Sequence, residues 1–198
     1  MPKKMPHRRI RTDKELEAAA IHVKYEVRML LYSSWHLGIG HGSPATMPYG
    51  DDKNIALESF LLHHRNLRAF LCPSLQSVGD DDILVTDFLG CTSATNVGDT
   101  NKLGTDKKRL DKMLAHLSYS RNEYIEARVY DWKSGAMSID MLASLENFVM
   151  LLPPDRAQWL PRAAELAEWK SRAEAMVRAS GGIADTSTFD VFLRKPYS

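Results

Sequence analysis

Cysteine is scarce in this chain of 198 residues: Cys72 and Cys91 are the only two. Neither belongs to a Cys-x-x-Cys pair, so the sequence offers no disulfide framework and no cysteine-based metal site, and both read as reduced thiols. Long apolar runs are also missing. The longest, such as 148–152 (FVMLL), fall far short of the ~20 residues that a membrane helix needs. The amino terminus has no apolar core of a secretory signal. The glycines at 38, 40 and 42 follow no strand and open no marked helix, which argues against a nucleotide loop. A Gly-x-Ser-x-Gly elbow is absent as well. Charge of one sign is not in excess: 26 Lys and Arg face 25 Asp and Glu, a formal net charge of +1. Any case for a nucleic-acid partner must therefore rest on local patches. What is present is 44% hydrophobic and 26% charged residues, the composition of a soluble globular protein. The expectation is a single cytoplasmic domain, neither secreted nor membrane-bound.

The first eleven residues carry Lys3, Lys4, Arg8, Arg9 and Arg11, two prolines and no acidic residue. This reads as a flexible basic arm, either a solubilising terminus or a contact to nucleic acid. Thr12 followed by Glu15 forms a capping-box pair that starts a helix. Leu16, Ala20, Val23, Val27, Leu30 and Leu31 then recur at helical spacing as far as about Trp35. A second helix, Asn54 to Cys72, is apolar nearly all round and stops at Pro73, so a central place in a bundle is expected. Residues 74–104 read as a long connection with one short helix at 83–89. A third helix is expected from Asp106 to about Arg121 behind Thr105, and a fourth behind Ser138 as cap, ending at Pro153-Pro154. A fifth, broken or restarted at Pro161, runs to Ser180, where Gly181-Gly182 stops it. The segment 122–135 has no assignable pattern. The expected architecture is all-α, a bundle of four to five helices over 12–180, with the tail 181–198 packing on the bundle or on a partner.

Chemistry concentrates on two helices. In the third, Arg109 and His116 are seven residues apart, only ~20° out of line on a helix, so both can reach one ligand. A histidine moves protons near neutral pH and a guanidinium offers a fork of donors to phosphate, a pairing suited to phosphodiester chemistry. The competing reading is structural, with His116 half-buried beside Met113 and Leu117 and Arg109 exposed in the first turn. Tyr119 and Arg121 lie further on and extend the polar surface. On the second helix Glu58, His63, His64, Arg65, Asn66 and Arg68 interrupt an apolar surface, and several must point inward, where unpaired charge is expensive. Glu58 and Arg65, seven apart, lie on one face and are expected to share a polar crevice. His36 and His41, and His63 and His64, lack the spacing of a helical metal pair, so no metal and no cofactor are expected.

Arg109, six intervening residues and His116 resemble the ribonuclease motif of the HEPN superfamily, small all-α domains in which an arginine and a histidine on one helix are separated by four to six residues. The wider pattern, ALESFLLHHRNLRAFL at 56–71 followed by LAHLSYSR at 114–121, is similar to uncharacterised bacterial HEPN-like proteins of the abortive-infection type. The resemblance spans about residues 12–152. One position departs: a polar residue often follows the motif arginine, whereas here Leu110 does and the polar Asp111 comes one later.

The resemblance implies a metal-independent endoribonuclease of toxin or phage-defence type, acting as a homodimer on RNA, with an antitoxin protein as a further partner. His116 would then exchange protons and Arg109 would stabilise charge on the phosphorane. Glu58, Arg65 and Asn66 would support the site, or else form an ion pair with an amide that fixes helix packing. The dimer contact is expected beside Arg109 and His116, with the Leu67, Phe70 and Leu71 end of the second helix taking part. The alternative is a non-catalytic helical interaction or RNA-binding protein on the same scaffold.

Overall fold

The computed structural model describes residues 9–39, 51–75, 78–91, 96–104, 107–115 and 132–179. Among them are eight α-helices and no strand, so the chain is all-α. Five are long: α1 (Asp13–Ser34), α2 (Asp51–Leu71), α5 (Lys107–Ala115), α6 (Ser134–Leu151) and α8 (Ala163–Ala179). Three are short: α3 (Val85–Leu89), α4 (Thr100–Gly104) and α7 (Pro154–Ala157). A π-helical turn, Trp35–Ile39, extends α1, and a 3-10 turn, Pro73–Leu75, follows α2.

The start of α1 is the expected capping box. Glu15 N–H donates to the Thr12 hydroxyl, and the Thr12 N–H donates to the Glu15 carboxylate. Arg9 adds an ion pair to the same carboxylate, and these donors together pull the Glu15 carboxyl down to about 2. The helix buries Leu16, Ala20, Val23, Val27 and Leu30, the face that the spacing indicated, while Leu31 is half-buried.

Helix α2 packs between α1 and α5 and also meets α6. Its lower half joins an edge-on aromatic cluster in which Phe70, Phe88 and Phe148 have ring centroids 5.2–5.9 Å apart. Leu67, Phe70 and Leu71 are thus spent in the chain's own core, at 1%, 5% and 0% exposure. The part expected for them in a dimer contact has no exposed surface to rest on, since all three are buried and Phe70 packs on Phe88 of α3 and Phe148 of α6.

The connection after α2 holds two short helices rather than one. Gly90, with φ of 66°, closes α3 in the left-handed region that glycine adopts without strain. The chain then crosses the end of α2, where the N–H groups of Val97 and Gly98 donate to the Leu71 carbonyl. A Cβ on Gly98 would sit 2.6 Å from Cys72 Sγ and from a Leu103 methyl, so only glycine fits this crossing.

Ser138 does not cap the fourth long helix. That helix, α6, begins four residues earlier, and Ser138 lies inside it, buried, with its hydroxyl 3.1 Å from that of Ser34. A serine that looks like a start signal is here a cross-link between helices. Helix α6 buries Met141, Leu142, Leu145, Phe148 and Val149 and lies against α8 and α2. The break at Pro161 is observed, α7 ending before it and α8 starting after it. Arg156 fixes the intervening corner by donating to the Phe88 carbonyl at 2.7 Å and pairing with Asp13 at 2.9 Å. Of the basic arm expected at 1–11, Arg9 pairs with Glu15 and Arg11 donates to the Asp80 carbonyl, while 1–8, the Thr105 cap, 116–131 and the tail 181–198 lie outside the described residues.

Candidate functional site

The polar residues of α2 divide between its two neighbours. Toward α1, the His63 Nδ1 is 2.7 Å from a Glu26 carboxylate oxygen, and Asn66 donates its amide to the same oxygen at 3.2 Å. The Tyr25 ring meets His63 edge-on, centroids 5.7 Å apart. His63 is buried and Glu26 about one-quarter exposed, so the group sits at the rim of the α1–α2 seam.

Toward α5, three cations converge on one carboxylate. Arg65 Nε donates to Asp111 Oδ1 at 3.0 Å, Lys107 Nζ to Oδ2 at 2.9 Å, and Arg68 lies 3.7 Å away. Burial pushes the Asp111 carboxyl up, but the hydrogen bonds from Lys107 and Arg65 outweigh it and hold the group below its ordinary value. The Arg68 side chain is only 3% exposed. Burial pulls its pKa down, and the Asp111 charge offsets part of this.

His64 lies one turn before Arg68, fully buried, with its ring beside Phe60. Burial first, and the Arg68 charge second, push its pKa down to about 3. It is therefore neutral at physiological pH, with neither nitrogen hydrogen-bonded among the described residues.

The motif arginine stands on the same helix as Asp111. Arg109 is half-buried, and its guanidinium lies over the ring of the fully buried Trp132, 3.5 Å from the centroid. A guanidinium hydrogen-bonds in its own plane, so stacking fixes its orientation without competing for those directions. Trp132 comes from the segment whose pattern was unassignable, and no spacing rule could have tied it to Arg109.

Of the residues singled out from the sequence, Arg65, Asn66 and Arg109 fall on the surfaces of α2 and α5 just described. His116, Tyr119 and Arg121 lie outside the described residues. The crevice shared by Glu58 and Arg65 is not formed: Glu58 is exposed, and Arg65 turns to Asp111 instead. Two carboxylates were missed as partners, Glu26 and Asp111. For Asp111 a signal existed, since Lys107 stands one helical turn before it. Among the described residues no helix is long and apolar enough to cross a membrane. No protein-family model matches this chain, nor does any curated protein or solved structure.

Proposed function

We propose that the chain is a HEPN-like, RNA-acting protein of toxin or phage-defence type that cuts RNA without a metal ion. It is read as one cytoplasmic helical domain over 12–180 that works as a dimer and is held in check by an antitoxin protein. His116 takes the proton from a ribose 2′-hydroxyl, the 2′-oxygen forms a bond to phosphorus, and the bond to the 5′-oxygen breaks. A second copy's histidine returns a proton to that leaving oxygen, because in-line displacement needs a base and an acid on opposite sides. The products are a 2′,3′-cyclic phosphate and a 5′-hydroxyl. Arg109 meets the charge that gathers on the phosphorane, and pre-set donors of this kind act without reorganising during the step.

The observation that carries this reading is the Arg109 guanidinium held at 3.5 Å over Trp132 on α5, away from the Lys107–Asp111 face that meets Arg65. The same stacking favours a second reading, in which Arg109 is a structural clasp and the protein is a non-catalytic helical binder. Expression in bacteria separates the two. The wild type should arrest growth and leave RNA fragments with cyclic phosphate ends, and His116→Ala should abolish both while keeping the helical circular-dichroism spectrum. Equal RNA integrity with wild type and variant would leave the non-catalytic reading standing.

A further inference from the structure

Helices α1 and α8 leave between them an open groove of about 750 Å³. This is within the ~300–1,000 Å³ range of small-ligand sites, room for one or two nucleotides and too little for a duplex. Its walls are aromatic to an unusual degree. Trp35 and Trp169 are half-buried along it, Tyr32 is 60% exposed, and the His36 ring meets Tyr32 edge-on with centroids 4.4 Å apart. Flat, partly wet rings present faces on which bases stack whatever their sequence.

The charge on the two walls differs. On the α8 side Glu165 pairs with Arg162 and Glu168 with Arg172, so the acids there are neutralised within their own helix. On the α1 side Lys24 and Arg28 are exposed, and no acidic side chain among the described residues pairs with either. The excess along the groove is therefore positive and lies on one wall, beside the rings.

We propose that this groove binds a short single-stranded RNA segment, with bases on Trp35 and Trp169 and phosphates along Lys24 and Arg28. The inference rests on the RNA-acting reading above and gives it a holding site apart from Arg109. An apolar peptide would use the rings but would gain nothing from the cations of Lys24 and Arg28.

The test uses the full chain and a 2′-O-methyl single-stranded octanucleotide, which cannot be cut because it has no free 2′-hydroxyl. Titration should quench tryptophan fluorescence saturably. Reversing the wall with Lys24→Glu and Arg28→Glu, both exposed, should weaken binding ~10-fold or more and lower the salt slope by about one to two. Trp169→Phe should keep binding while reducing the quench. No saturable quench, or binding indifferent to the charge reversal, overturns the proposal. A chain that binds the octanucleotide but never cleaves RNA retains this site and loses the proposed catalysis. A chain that cleaves without quenching does the opposite.

Discussion

The two flanks of α2 solve burial in opposite ways. Around Phe70 the helix meets Phe88 and Phe148, and all three ring pairs of this cluster are edge-on. On the other flank, two residues earlier at Arg68, it buries a guanidinium and an imidazole and relies on one carboxylate from another helix to compensate. The first region gains from area removed from water. The second region gains little net free energy, since desolvating ions cancels most of their attraction, and it is sensitive to the loss of either partner. An aromatic cluster tolerates exchange for other apolar shapes, whereas an ion set tolerates only its own geometry. The seam on α5 is thus the part of the bundle whose arrangement is specified by chemistry rather than by volume.

The largest effect expected from breaking the contrast is in the aromatic cluster. Phe148→Ala should cost about 3–5 kcal/mol by urea unfolding, because the ring is fully buried and its removal leaves a cavity between α2, α3 and α6. On the polar flank, Asp111→Ala should cost about 3 kcal/mol, since it leaves Arg68 buried beside Arg65 with no counter-charge. Adding Arg68→Met to Asp111→Ala should return most of that loss. A double variant as unstable as the single one would show that Asp111 acts through Lys107 and Arg65 alone. The smallest change, His64→Phe, should stabilise by ~1 kcal/mol at neutral pH by removing two buried nitrogens. It should also flatten the acid limb. The folded pKa of His64, about 3, lies below its unfolded value near 6.5, so the neutral ring contributes in full above about 6.5. That contribution is lost as pH falls from there toward 3. Denaturant midpoints at several pH values measure both effects.

Periodicity and punctuation made the long helices legible. Thr12 and Glu15 marked the first start, and the spacing of Leu16, Ala20, Val23 and Val27 marked its buried face, because both are set within a few residues. Ser138 misled because a serine hydroxyl inside a helix and one at its cap look alike in sequence, and its partner, Ser34, is 104 residues away. The site was legible as a set of unusual residues on α2, not as a set of pairs. Spacing put Glu58 and Arg65 on one stripe, and that is all spacing can do. The choice of Asp111 for Arg65, and of Glu26 for His63, is made by which helices flank α2, 46 and 37 residues away in the chain. Trp132 under Arg109 is the extreme case, contributed by a single residue ahead of α6.

The crossing at Gly98 makes the protein a clock for its own opening. Cys72 Sγ lies under that glycine, and burial pushes the thiol up to about 11, so it is closed to reagents both by cover and by protonation. Cys91 is exposed on the same connection. In one tube, an alkylating reagent meets an open thiol and a shuttered one. The rate at Cys91 reports the intrinsic chemistry, and the lag of Cys72 behind it reports how often the connection lifts from the end of α2. The chain thereby carries a reference and a sensor for local unfolding in its only two cysteines, with no label to be introduced.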